Sequence, residues 1–327
     1  MPVSARTKAV LPWSMWPAVP IMTFFIATLF ILAPLTAQDS ETPTFKTGVA
    51  DVRVDVQVSQ GKDLIKSLTK DDFAITDEGQ AQAIVSFSHG EEPLNLILLL
   101  DISGSMQKYI SQIAQTARDA LAHLRPGDRV AIMVFAKTSA VHQDFSDNLA
   151  ETARQIGNAV EDHDVGVSTQ INSAVVDAAR YMRSHADATG RHAILILTDN
   201  LSMSYQLTDG QVIRELNKAD TVFNAIVTGR AIEPLPPTPS MYPNKDFTPA
   251  NVMHLAEETG GEWVKAGRAD ATFNEMIERI RSRYMLVYHA PPGTAGAFRR
   301  IAVTLSADAR RKYSGAELRA RSGYYAE

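Results

Sequence analysis

Valine at every second position from Val52 to Val58, with Arg53, Asp55 and Gln57 between, is the period-two pattern of a strand that buries one face. Two shorter runs follow, Phe73 to Thr76 and Ile84 to Ser88. The intervening Asp77-Glu78-Gly79-Gln80, whose glycine accepts positive φ, makes them a predicted hairpin. The pattern changes at Leu94 to Leu100 (LNLILLL), which is apolar almost throughout, as a central strand covered on both faces requires. Ile110, Ile113, Ala114, Ala117, Leu121 and Leu124 then form a helical stripe that stops at Pro126-Gly127. Arg129 to Phe135, Ala193 to Leu197 and Val222 to Val227 are further predicted strands, and Ile171, Ala174, Val175, Ala178, Ala179 and Met182 mark another helix. Amphipathic helices are predicted over 210–219, 250–258 and 271–282, and Trp263 is expected in the core on the last strand of the sheet.

Strand and helix alternating in this way over residues 92–283 predict an α/β domain with a doubly wound, mostly parallel sheet, whose ligand site lies beyond the carboxyl ends of the strands. The connection from Arg230 to Pro249 is long and carries six prolines, so it is expected to overhang that site. Strand patterns return at Tyr284 to Tyr288, Phe298 to Leu305 and Ala316 to Ala320. The amino-terminal flank, 38–91, is also short and strand-rich, and either flank alone would make a marginal sheet. The two flanks, 38–91 and 284–327, are therefore expected to pair into one small discontinuous β unit.

The first 37 residues are set apart from this organisation. Arg6 and Lys8 precede an apolar run from Ala18 to Leu35 that ends in Leu35-Thr36-Ala37, the pattern of an export signal. The run also approaches the length of a membrane span, so an uncleaved anchor is the alternative to cleavage. Either way the remainder is expected outside the cytoplasm, periplasmic or secreted. A formal net charge of −5 with no Lys/Arg run argues against nucleic acid or an anionic membrane surface as partner. The chain contains no cysteine, which removes thiolate metal sites, thiol nucleophiles and disulfides, so any metal must sit on oxygen or imidazole. The eight histidines are dispersed without a zinc-binding pair, and no glycine-rich phosphate or dinucleotide loop occurs.

Candidate chemistry lies where the first central strand ends, in Asp101-Ile102-Ser103-Gly104-Ser105. A carboxylate and two hydroxyls at alternate positions can converge on one point and suit a hard cation, Mg²⁺ or Mn²⁺. The plainer alternative makes Asp101 a turn residue and Ser105 the N-cap of the next helix. Thr169 before the helix of Ile171, and Asp199 in Leu197-Thr198-Asp199-Asn200, fall on loops at the same sheet edge in the expected topology.

In these residues the sequence resembles the von Willebrand factor A domain, or integrin I-type domain, whose metal-ion-dependent adhesion site reads Asp-x-Ser-x-Ser, then Thr, then Asp. Asp101, Ser103, Ser105, Thr169 and Asp199 fill the five positions in order, with Asn200 where the family has glycine. The flanks, in Phe45-Lys46-Thr47-Gly48, Leu68-Thr69-Lys70-Asp71-Asp72-Phe73, Ile84-Val85-Ser86-Phe87-Ser88 and Arg319-Ala320-Arg321-Ser322-Gly323-Tyr324, are similar to a bacterial group, the VWFA-related Acidobacterial domain. The resemblance implies a Rossmann-like six-stranded sheet and a non-catalytic module that captures an Asp or Glu of a protein partner on its cation. It also implies that Ser103 and Ser105 coordinate directly, Thr169 in the ligand-bound state, and Asp101 and Asp199 largely through water. In the family, carboxylate capture can be coupled to sliding of the last helix, here 271–282. Asn200, Ser202, Tyr205 and Tyr242, on segments bordering the predicted metal face, are the candidate partner contacts.

Three alternatives compete with this reading: the same scaffold with a structural metal or none, an intracellular A-domain that partners an AAA ATPase, and a Mg²⁺-dependent phosphotransferase of the haloacid dehalogenase type. The second is opposed by the export signal. The third needs an acid/base Asp two residues after the first, where this chain has Ser103.

Overall fold

A computed structural model of the chain describes residues 51–159, 164–166, 168–202, 207–228 and 250–326. The export segment, residues 160–163, the Pro-rich connection, Tyr205 and Tyr242 lie outside the described residues. Among the described residues no helix is long and apolar enough to cross a membrane.

The amino-terminal flank forms β1 (Asp51–Gln60), β2 (Asp63–Leu64), β3 (Phe73–Asp77), β4 (Gln80–Gln82) and β5 (Ile84–His89). The α/β part then runs β6 (Leu94–Asp101), α1 (Gln107–Leu121), β7 (Arg129–Phe135), β8 (Ser139–Ser146), α2 (Leu149–Asn158), α3 (Ile171–His185) and β9 (Arg191–Thr198). It continues with α4 (Asp209–Lys218), β10 (Thr221–Val227), α5 (Val252–Glu258), β11 (Trp263–Lys265) and α6 (Ala269–Arg281). The carboxyl-terminal flank is β12 (Tyr284–His289), β13 (Phe298–Leu305), α7 (Ala307–Lys312), β14 (Glu317–Arg319) and β15 (Gly323–Tyr325).

β6 is buried along its whole length because both its faces are apolar. Leu94, Leu96, Leu98 and Leu100 pack under α1 and α6, against Ile110, Ile113, Phe273 and Ile277, while Ile97 and Leu99 face Val175, Val212 and Leu255 of α3, α4 and α5. The six strands stand in the order β11-β10-β9-β6-β7-β8, parallel except for β8, which runs antiparallel to β7. This is the doubly wound α/β sheet expected. From β6 the chain moves first to β7 on one side and later to β9 on the other, so the carboxyl end of β6 is a topological switch point.

β1 carries the two flanks together. Val52, Val54, Val56 and Val58 enter a third core with Tyr284, Leu286 and Tyr288, and β1 pairs antiparallel with β12 and with β14. A second small sheet has the order β15-β13-β3-β4. The buried Asp77 carboxylate gathers Tyr288, Tyr324 and Arg299, joining the two sheets of the β unit.

The predicted hairpin needs correction. Phe73 to Asp77 turns back through Glu78 and Gly79, both at positive φ, into β4 and not into β5. β5 crosses to the other sheet and pairs with β12, because β4 (Gln-Ala-Gln) has no apolar face, whereas Ile84 and Phe87 bury against the core holding Tyr284. Trp263 is only half-buried, and its indole nitrogen donates to Glu257 at 3.1 Å.

Candidate metal centre

Asp101 is the last residue of β6 and is fully buried. Its carboxylate accepts hydrogen bonds at both oxygens, Oδ1 from the backbone N–H of Ser103 at 3.0 Å and Oδ2 from the hydroxyl of Thr198 at 2.8 Å. Thr198 ends β9, the parallel neighbour of β6, and its own oxygen accepts the N–H of Asn200 at 3.1 Å. The loop after β6 is held to the sheet by Ile102 N–H on the carbonyl of Phe135, and it turns into α1 through Met106 N–H on the carbonyl of Ser103.

Ser105 is not the N-cap of α1. The residue before the helix is Met106, already helical and without a side-chain cap, so the Ser105 hydroxyl donates across to Asp199 Oδ2 at 2.8 Å. Ser103 Oγ lies 3.2 Å from Ser105 Oγ. Asp101, Ser103, Ser105 and Asp199 therefore form one continuous polar cluster above the switch point, buried at Asp101 and open at Ser105. Thr169 lies on the loop before α3. Its carbonyl accepts the Ser202 hydroxyl at 3.2 Å, which ties this loop to that of Asp199. The hydrogen bonds that join the other four residues do not include the Thr169 hydroxyl.

Burial pushes the Asp101 carboxyl up to about 6, against the lowering effect of the bonds from Ser103 and Thr198, and the nearby Asp199 charge adds to the rise. Two carboxylates held this close repel, and a cation between them would relieve that repulsion. Among the described residues no group of three or more His, Asp and Glu could hold a metal ion. A cation at this site would rest on hydroxyls as much as on carboxylates, a donor set that suits a hard ion.

Asn200 takes the left-handed conformation at φ 60°, as its place in the motif requires. The expectation that Asn200 and Ser202 meet a partner is revised. Asn200 is 1% exposed, packed with its amide on the sulfur of Met253, and Ser202 is 3% exposed with its hydroxyl turned to Thr169. Between them Leu201 is 54% exposed, its N–H fixed on Asp199 Oδ1. Sequence reasoning passed over Leu201, and over Thr198 as an orienting group, although the Thr-Asp-Asn segment pointed to both.

The fold and the cluster define an α/β domain with a hydroxyl–carboxylate site at its switch point. Residues 96–201, which include all five motif positions, match the von Willebrand factor type A domain. Over this segment, about a third of its length, the chain is similar to the von Willebrand factor type A family. No curated protein matches the chain. Similar solved structures include an aerotolerance-related membrane protein from Bacteroides fragilis with multiple mutations to serines (15% identity, 57% of this chain and 98% of that chain, TM-score 0.43). A von Willebrand factor type A protein from Catenulispora acidiphila is similar over 80% of this chain and 71% of its own (11% identity, TM-score 0.43). The proximal thread matrix protein 1 of mussel byssus, in a form with a zinc-occupied MIDAS motif, is similar over 64% of this chain and 50% of its own (13% identity, TM-score 0.44).

Proposed function

We propose that the domain binds a divalent cation, Mg²⁺ or Mn²⁺, at Asp101, Ser103, Ser105, Thr169 and Asp199, and uses it to capture an Asp or Glu carboxylate of a protein partner. The observation that carries this reading is the linkage of Asp101, Ser103, Ser105 and Asp199 into one cluster at the switch point, with Ser105 open to solvent. Asp101 and Asp199 would hold the ion electrostatically, while Ser103, Ser105 and Thr169 would supply neutral oxygens. A bound cation would supply Lewis acidity toward one further anionic oxygen. The Thr198 hydroxyl and the Ser103 N–H keep the Asp101 carboxylate in one orientation, and the Leu201 N–H does the same for Asp199. The reading is non-catalytic, since the position two residues after Asp101 offers a hydroxyl and not an acid/base carboxylate.

Calorimetric titration of Mn²⁺ and Mg²⁺ into the protein, beside an Asp101→Ala/Ser103→Ala double variant, tests the site. Micromolar-to-millimolar binding that the variant loses is the expected result; a folded wild type that binds neither ion would leave a metal-free scaffold. The reading includes export directed by residues 1–37, and cytoplasmic retention of a reporter fused to residues 1–45 would overturn that part.

A further inference from the structure

Period two on β1 turns Arg53 and Asp55 away from the buried valines, toward the amino-terminal ends of β9 and β10. Together with Arg191 and His192 at the start of β9, Asp220 before β10 and Arg321 of the carboxyl-terminal flank, they line a cavity of about 20 Å³. That volume suits a single water molecule or a monatomic ion.

The guanidinium groups here are fixed by their own bonds. Arg191 donates from Nε to Asp55 at 2.7 Å and from its two terminal nitrogens to the carbonyls of Arg281 and Ile280. Arg321 donates to Asp220 at 2.5 Å and to the carbonyl of Arg53, while its buried Nε–H finds no acceptor among the described residues. Arg283 shares Asp55 with Arg191, and its buried Nη1 is likewise without an acceptor. Arg53 donates to the carbonyl of Ala188 at 3.4 Å and meets no carboxylate among the described residues. The ring nitrogens of His192 face the carbonyls of Ala219 and Asp187, at 2.9 and 3.0 Å.

The charges do not balance. Arg53, Arg191, Arg283 and Arg321 share two carboxylates, Asp55 and Asp220. Glu262 and Asp187 are taken by Arg279 and Arg129. Glu258 accepts from the hydroxyl of Ser322, next to Arg321, at 2.9 Å, and even set against the four arginines it leaves one positive charge over. Burial holds Arg283 below its ordinary value, Asp55 works against that, and the Arg191 charge adds to it. A water in the cavity would supply an acceptor and no charge, whereas an anion supplies both, where solvent screens least.

We propose that the cavity binds one small monovalent anion of chloride size against Arg53 and Arg321, with Arg191 and Arg283 adding to the positive field. The anion acts as a clasp that joins β1 and the carboxyl-terminal flank to the start of β9, so the stability of the chain depends on which anion is supplied and not on ionic strength alone. The site lies at the opposite end of the strands from the metal cluster, and it stands whether or not that cluster holds a cation.

Thermal unfolding, followed while sodium gluconate is exchanged for sodium chloride at constant ionic strength, tests the site. Chloride tenfold above its dissociation constant is expected to raise the melting temperature by about 3 °C, and bromide to substitute for it. Arg53→Gln, which removes a side chain held by one long bond, and Arg321→Gln should each lose most of this increment. Lys108→Gln, which removes an exposed cation near the other end of the strands, should keep it. Crystals grown in sodium bromide give an independent reading, with anomalous scattering expected in the cavity beside Arg53 and Arg321. No increment in the wild type, an equal increment in both arginine variants, or a cavity that holds only water in the bromide crystals would overturn the proposal.

Discussion

Asp101 is placed where a carboxylate is most expensive to ionise, and its environment fixes the sign of a pH effect. Burial raises its folded value from 3.8 to about 6, so the folded chain holds this proton more tightly than the unfolded chain does. The stability contributed by the protonated form is fully present below about 4 and is lost as pH rises through about 6, by no more than about 3 kcal/mol. Above that range the ionised Asp101 stands near Asp199, and a divalent cation compensates both. The increase in melting temperature produced by millimolar Mn²⁺ should therefore be small at pH 5 and grow through pH 6 to a plateau above 7. Scanning calorimetry with and without Mn²⁺ across that range isolates the effect, because groups remote from the site cancel in the difference. An increment that does not change with pH would show that Asp101 does not control the site.

At the scale of elements, what was legible in the sequence followed from burial. β6, β7, β9 and β10 are covered on both faces, so their apolar runs announce them, and α1 and α3 show the spacing of a single buried stripe. β8 and α2 were missed for the opposite reason. β8 is an edge strand with no fully buried residue, and its place is set by the ladder to β7 and by the bond from Gln143 to Thr152 of α2, both long-range facts. α2 has a local start signal that could have been read: Asn148 caps the helix by accepting from the N–H of Glu151 at 3.1 Å. The same contrast holds at the candidate site. Asp101, Ser103 and Ser105 are close in sequence and visible as a motif, whereas joining them to Asp199 needs β9 beside β6. That Asn200 and Ser202 face inward and Leu201 outward depends on the left-handed turn at Asn200, which spacing alone does not reveal.

For the whole molecule, the decisive contacts lie at the opposite end of the sheet from the metal cluster, where the described residues from Asp51 onward are closed into one compact unit. Period two on β1 sends the valines into the β core and Asp55 the other way, toward the start of β9. There Asp55 accepts from Arg191 at 2.7 Å and from Arg283, and the side chains of both arginines are 1% exposed. Arg279, Arg281 and Arg283, at alternate positions where α6 runs into β12, reach three separate acids: Glu262, Asp128 and Asp55. Burial alone would raise the Asp55 carboxyl, and the charges of Arg191 and Arg283 more than reverse it, so its value falls below 3.8. Its contribution to stability is present above that value and is lost as pH falls through the depressed one. Asp55→Ala would leave two buried guanidinium groups without their carboxylate, at a cost of about 3–5 kcal/mol, whereas Asp55→Ala with Arg283→Met should recover part of the loss by removing one of those charges. Because the pair ties the flanks to the α/β sheet, the loss should appear in urea as one transition moved to lower denaturant, with Mn²⁺ affinity unchanged at the far end of the strands. Two resolved transitions would mean that the β unit opens by itself and that Asp55 only closes a seam between separate domains. A single shifted transition would make the β unit part of the same cooperative structure that holds Asp101 and Asp199 in register.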